Sequence, residues 1–453
     1  MRKIDKKRNR PQSETRKFLK AMIILALPIL AQDLVNASVN FIDHLMVGSL
    51  GLEAINAVGF SNQLFFLYSL VLYGMCTGSA ILTGQYWGKN EVNGIHKVLG
   101  ISFLTGMALG VIFATIAIIF PKWFLGFYTA DPEILALGAT YLRIVGFSYL
   151  ITPITMTYNF ALRSIKKTNI PMLTVTIALL TSVSLNFVFI FIMGWGVMGA
   201  AIGTLIARIV EITVQAIIIR KLKLPVAAKF KDYMSFDLKF AKDCFKITMP
   251  VILNEAAWAL GVVLCQIAYR GTGSEAQGAM QINMAVSNLF FIAGIAVGAA
   301  SGIMIANSLG AGERVKAISY SRKALIFSIF VGVMMSGLLF AAAPFITELY
   351  DVPDVVRTYA NRLLVVSAVF TTVRMFNFTT IIGILRNGGD TKFCLFADGV
   401  VMWLVAVPMA FLGVYVFNLP IYWVFVLVLM DEVVKVFLTG FRVLGNKWAN
   451  TVV

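Results

Sequence analysis

What most limits this chain is a succession of apolar stretches, each about 20 residues or longer, joined by short polar connections. At a rise of about 1.5 Å per residue, such a stretch is long enough for a helix to cross the hydrocarbon core of a bilayer. Of the 453 residues, 59% are hydrophobic and 13% are charged. A soluble chain would carry about a quarter charged residues, and it could not hide so much apolar surface from water. The sequence therefore predicts an all-α integral membrane protein.

Twelve spans are expected, at roughly 18–43, 55–86, 98–121, 133–161, 169–193, 197–220, 243–269, 277–308, 318–343, 355–385, 392–416 and 420–442. The net charge of +16 would suit nucleic acid, but roughly four-fifths of the Lys and Arg fall in the N-terminal tail and in alternate loops. That distribution follows the positive-inside rule and excludes nucleic acid as the partner. Arg220, Lys221, Lys223, Lys229 and Lys231 lie on one side, whereas TADPE (129–133) and ELYDVPD (348–354) are acidic. Both termini are accordingly expected in the cytoplasm, with the chain crossing a bacterial inner membrane many times and acting as a monomer. The first span contains Gln32, Asp33 and Asn36, which is too polar for a signal-peptide core, so it reads as a retained helix. Four scattered cysteines and two isolated histidines, His44 and His96, offer no metal spacing.

The expected organisation is a basic tail (1–17), a six-helix bundle (18–220), a linker (221–242), a second six-helix bundle (243–446) and a short tail (447–453). The two halves resemble each other. At an offset of 222, Pro28 matches Pro250, Asp33 matches Glu255, Gly51 matches Gly273, Glu53 matches Glu275, Gly88 matches Gly310 and Tyr128 matches Tyr350. One residue later in register, Leu162-Arg163 matches Leu385-Arg386. With six spans per half, the repeats are parallel and related by a pseudo-two-fold axis along the membrane normal. In such proteins the substrate site lies near the midplane between the repeats.

Taken with the repeat, several segments resemble the multidrug and toxic compound extrusion (MATE) family. They are ALPILAQDLVNASVNFIDHLMVGSLGLEAINAVG (26–59), MPVILNEAAW, GTGSEAQGAMQI, LGAGERVKA (309–317), LRNGGDTKF (385–393) and GVMGAAIGT (196–204). The resemblance implies two bundles in a V and export of organic cations or other amphiphiles against an inward flow of H⁺ or Na⁺. It also implies a cation-coupling role for the helix 1 acid, Asp43. Asn186 stands where one branch of the family has an Asp in helix 5, and Met375, beside Arg374, where another has an Asp in helix 10.

Ionisable residues inside a span are costly and mark functional sites by default. Glu255 sits about a dozen residues into its span, beside Asn254 and with Trp258 on the same face. A carboxyl there can take a proton from one side and yield it when a cation arrives; a Glu tied to another helix would look the same in sequence. Asp33 is its counterpart in the first half. It opens a polar stripe of Asp33, Asn36, Asn40 and Asp43 along one helix face. Glu255, Asp43 and Asp33 are thus the expected coupling acids. Asn36, Asn40, Asn186, Asn254, Trp258 and Gln281 are the expected cavity residues. Arg208 with Glu211, Arg374 with Asp398, and the cluster of Asp431, Glu432 and Lys435 read as structural charge pairs. Arg163, Arg386 and Asp390 read as residues that fix cytoplasmic loop geometry or gate closure.

The expected activity is secondary antiport of amphiphilic, cationic small molecules by alternating access. No cofactor is expected beyond the transported H⁺ or Na⁺, and membrane lipid is the other partner. One charge crossing about 100 mV gains roughly 2.3 kcal/mol, and one pH unit adds about 1.4 kcal/mol. No GxxxxGK[ST] loop is present for ATP. A flippase of lipid-linked precursors is the alternative, although acids on the central helices favour cationic cargo. A membrane enzyme would need clustered catalytic groups, and the scarcity of His speaks against it.

Overall fold

The computed structural model describes residues 11–350 and 352–453, and all of their side chains except those of residues 11–13, 40 and 41. In chain order its main helices are α1 (Pro11–Gly48), α2 (Leu52–Gly88), α3 (Val92–Ile119), α4 (Pro132–Val145), α5 (Ser148–Ser164), α6 (Asn169–Ile192) and α7 (Gly196–Lys221), followed by α8 (Leu238–Tyr269), α9 (Ser274–Gly310), α10 (Arg314–Glu348), α11 (Asp354–Leu385), α12 (Thr391–Val416), α13 (Ile421–Val428) and α14 (Met430–Leu444). Among the described residues, ten helices are long and apolar enough to cross a bilayer alone. α4 and α5, which meet at a 50° bend, are together long and apolar enough for an eleventh crossing if they act as one span. The twelfth expected span is divided into α13 and α14, which adjoin at Leu429. Asp431, Glu432, Lys435 and Arg442 make α14 too charged to count as an apolar crossing.

Local chemistry explains how the repeat begins each helix. Gly51 and Gly273 precede α2 and α9 at φ 107° and 94°, a region that only glycine enters freely, so the same turn requires the same residue in both halves. Pro28 and Pro250 lie inside α1 and α8, five residues before Asp33 and Glu255. Each removes a backbone hydrogen bond at the same place. Asp131 caps α4, its carboxylate accepting from Glu133 N at 2.9 Å, and Asp237 caps α8 by accepting from Phe240 N at 2.8 Å.

Two separate cores form two lobes. In the first half Leu64, Tyr68, Leu72, Leu142, Tyr149 and Ala201 pack together; in the second Ala279, Leu339, Leu363, Leu364, Ala406 and Val424 do so. Large apolar side chains on α10 point away from both, with Ile326 70% and Phe330 65% exposed. In water that surface would aggregate; against lipid it is the expected exterior.

The lobes meet through four helices. Gly74 and Gly78 of α2 let the α8 backbone approach at Ile252 and Thr248. The repeat-related contact places Met22, Leu25 and Ile29 of α1 on Ala296 and Ala300 of α9. At the end carrying the basic loops, α2 and α9 themselves cross. A Cβ on Gly88 would strike the Asn307 carbonyl, and one on Gly310 would strike the Gln85 carbonyl. The 222-residue match of these glycines is therefore a backbone-on-backbone crossing on the pseudo-two-fold axis.

The connector 221–242 is not a loose linker. It contains a short helix, Phe230–Tyr233, and Tyr233 is buried on the first lobe with its hydroxyl donating to Val226 O at 2.7 Å. The segment 447–453 is likewise packed: Trp448 is fully buried and donates to Val443 O at 3.1 Å.

Gly310→Ala should separate α2 from α9 and lower stability by about 1–3 kcal/mol, as overpacking does. Gly337→Ala, on α10 with nothing near its Cβ position, should be neutral or slightly stabilising. Thermal unfolding of the purified variants in one detergent compares the two.

Candidate functional site

Each lobe encloses a cavity. The first, about 400 Å³, lies among α1, α2, α4, α6 and α7 and is lined by Asp43, Tyr141, Asn186 and Arg208 among others. Asn186 Nδ2 donates to Asp43 Oδ1 at 3.0 Å, while the Asn186 carbonyl oxygen is buried without a partner. Gly203 of α7 makes this geometry possible, because a Cβ there would collide with that oxygen. Arg208 Nη1 pairs with Glu211 Oε2 at 2.8 Å, and Asn159 extends the network by donating to Glu211 at 3.4 Å. Among the described residues no cationic side chain lies within ion-pair distance of Asp43.

The second cavity, about 660 Å³, is lined by Trp258, Gln281, Asn283, Phe291, Arg374, Asp431 and Glu432. Lys435 of α14 bridges two acids, Asp398 Oδ1 at 3.0 Å and Asp431 Oδ2 at 2.8 Å. Arg374 does not pair with Asp398 as the sequence suggested. It reaches Glu432 at 3.8 Å and lies over the Phe291 ring, 3.4 Å from its centroid. The correction has a simple cause: Asp398 on α12 faces α14, where the shorter Lys435 side chain reaches it. Asn254 Nδ2 donates to Asp398 at 3.0 Å and leaves its own carbonyl oxygen without a partner, as Asn186 does in the first lobe. Phe66 of α2, half exposed, lines both cavities.

Asp33 and Glu255 line neither cavity. Glu255 accepts from Arg386 Nη1 at 2.8 Å, and Asp33 lies 3.7 Å from Arg163 Nη2, which also donates to Gln32 at 2.7 Å. Two matched sequence motifs are thus each other's partners, repeated in both lobes. Arg163 and Arg386 do not fix loops but reach into the bundle. Arg386 is placed by a widened turn, its N–H bonding Ile381 O five residues back at 3.0 Å. Asp390 alone keeps to the loop, pairing with Arg442 at 2.6 Å. Tyr73 of α2 lies within electrostatic reach of all four charges.

Of the expected cavity residues, Asn186 lines the first cavity and Trp258 and Gln281 line the second. Asn254 is buried behind the second, holding Asp398. Asn36 is half-buried on α1 and lines neither; the Asn40 side chain lies outside the described residues. Phe66, Tyr73 and Asn283 were missed. Nothing in a run of apolar and aromatic residues distinguishes Phe66 or Tyr73 from ordinary packing.

Lys435→Met should leave Asp398 and Asp431 as unpaired buried charges and cost about 3–5 kcal/mol. Adding Asp398→Asn should return part of that stability. Thermal unfolding of the single and double variants tests whether Lys435 bridges both acids.

Comparison with known proteins agrees with this architecture. The MatE family pattern matches residues 28–188 and 250–412, one segment in each half. The chain is 24% identical over 86% of its length to the "Probable multidrug resistance protein YoeA" of Bacillus subtilis, 86% of which is covered. It is 21% identical over 97% of its length to the "Probable multidrug resistance protein NorM" of Thermotoga maritima, covering 95% of it. Among solved structures, a MOP superfamily transporter from Pyrococcus furiosus, described as having a binding pocket of reverse polarity, superposes with a TM-score of 0.86 at 18% identity, over 94% of this chain and 96% of that one. An outward-facing multidrug resistance MATE family transporter superposes at 0.84 with 19% identity, over 94% of this chain and 96% of that one. The resemblance noted in the sequence therefore stands as membership: this chain is a multi-pass membrane transporter of the MATE family, and not an enzyme.

Proposed function

We propose that the protein is an antiporter that exports amphiphilic organic cations by alternating access, in exchange for H⁺ or Na⁺. The observation that carries this reading is an excess of carboxylate in each lobe. In the first, Asp43 and Glu211 stand, among the described residues, against one permanent cation, Arg208, and the imidazole of His44, which lines the same cavity. In the second, the ion pairs of Asp398, Asp431 and Glu432 among the described residues are made with two cations, Lys435 and Arg374. An unmatched negative charge away from bulk water is costly and attracts a cation, whether a proton, a metal ion or an organic ammonium.

Asp43 is the N-lobe coupling acid in this reading. Only an amide holds it, and the unpartnered Asn186 oxygen beside it offers a second oxygen to a bound cation. Asp33 and Glu255 each face a guanidinium and are not the direct cation sites in this reading. Cationic cargo would lie against Phe66 and Trp258, whose ring faces attract positive charge. By the positive-inside rule the basic loops support a cytoplasmic closed end, and both cavities would then open to the outside. One chain holds both halves of the site and would act as a monomer.

In proteoliposomes, export of a fluorescent lipophilic cation should follow either an imposed pH gradient or an imposed Na⁺ gradient. Asp43→Asn should abolish that dependence while leaving the protein folded. Export indifferent to both gradients, or undiminished in Asp43→Asn, would sink the assignment. An uncharged analogue of the same dye, exported equally well, would remove the preference for cations.

A further inference from the structure

The crossing of α2 and α9 carries more than packing. Gln85 stands three residues before Gly88, and Asn307 three before Gly310; the two amides are themselves 222 residues apart. Each reaches across to a main-chain carbonyl of the opposite lobe. Gln85 Nε2 donates to Asn387 O at 3.2 Å, and Asn307 Nδ2 donates to Ser164 O at 3.0 Å. Asn307 also donates to Gly84 O at 3.3 Å.

The accepting residues are not arbitrary. Ser164 follows Arg163, and Asn387 follows Arg386. These two carbonyls are therefore each one residue from a guanidinium that holds a half-buried acid, Asp33 in one lobe and Glu255 in the other. Arginine and carbonyl share one turn of backbone, so a backbone shift at either arginine displaces the carbonyl beside it.

The C-terminal segment fastens the same place. Trp448 is buried in the second lobe against Gly388. The chain then runs across to the first lobe. Asn450 O accepts from Gln85 Nε2 at 3.2 Å, Val452 N donates to Gln85 Oε1 at 2.8 Å, and Val452 and Val453 pack on the first-lobe core. Gln85 is thus satisfied on both ends of its amide by residues of the other half.

We propose that Gln85 and Asn307, with the strap of residues 450–453, are the gate residues that hold the lobes shut at the basic-loop end, and that the Asp33–Arg163 and Glu255–Arg386 pairs set whether the gate stays closed. They are positioning residues: they touch no cargo and act on the equilibrium between the two arrangements. A buried amide that donates across an interface favours the arrangement in which its acceptors are present. When an acid loses its charge, its arginine is released, the neighbouring carbonyl shifts and the amide loses its acceptor. The inference rests on the alternating-access reading of the family, but its test does not require transport.

Spin labels at Lys167→Cys and Lys392→Cys, both exposed and on opposite lobes at that end, report the separation in nanodiscs; the four native cysteines are buried. The parent should give mainly the short distance. Gln85→Glu and Asn307→Asp keep the size of each side chain but set an acceptor against the carbonyls. Each should raise the ratio of long to short distance about tenfold, the effect of losing one or two hydrogen bonds. A chain ending at Ala449 keeps Trp448 in its socket and should shift the ratio the same way. Glu255→Gln should also shift it, and should add little on top of Gln85→Glu, as residues acting through one contact do. Distances unchanged in both amide variants and in the shortened chain would overturn the gate. Fully additive shifts for Glu255→Gln and Gln85→Glu would overturn its control by the acid. The distances are read without gradient or cargo, so a failure of gradient-driven export would count against antiport and leave the gate standing.

Discussion

Everything in this structure answers to the cost of charge in a medium that cannot solvate it. A guanidinium or carboxylate inside a bilayer needs a partner of opposite sign or a cavity that admits water. The protein meets that demand unevenly. Asp33 and Glu255 are matched one to one with Arg163 and Arg386 near the lobe interface, so that region is neutral and can be dry. Further from the basic loops the matching is incomplete, and there the cavities lined by Asp43 and by Trp258 lie.

The small residues follow from the same division. Gly74, Gly78, Gly88 and Gly310 allow main chains to approach, and backbone contact is what apolar helices can offer one another when lipid competes for their side chains. The cavities lie on the other side of these contacts, with Phe66 between them. A single aromatic ring is then shared by two sites of unlike charge arrangement, one built around an amide-held aspartate and the other around a lysine bridging two acids.

Much of this was readable from the chain. Apolar length gave the helices, the offset of 222 gave the two lobes, and the acids on α1 and α8 stood out because charge is rare there. Partnership was not readable. Asp33 and Arg163 were each recognised as half of a repeated pair, yet helical periodicity says nothing about a contact between residues 130 positions apart. For the same reason Arg374 was matched with Asp398 when Glu432 and Lys435 were the true neighbours. Span 12 looked continuous because its apolar residues outweigh α14's charges in a window average. Gln85 and Asn307 passed for ordinary polar residues at a helix end, although they obey the same offset as the acids. The segment 447–453 read as a short tail because seven residues are too few to show a pattern, and burial of Trp448 is a tertiary event.

The strap has one more consequence. Two of its main-chain amides answer to different masters: Asn450 N donates to Gly388 O, within the second lobe, whereas Val452 N donates to Gln85 of the first. Hydrogen exchange at Val452 therefore reports whether the lobes are together, and exchange at Asn450 reports only whether the second lobe is intact. Two neighbouring protons of the unmodified protein form a gauge of closure with its own internal standard.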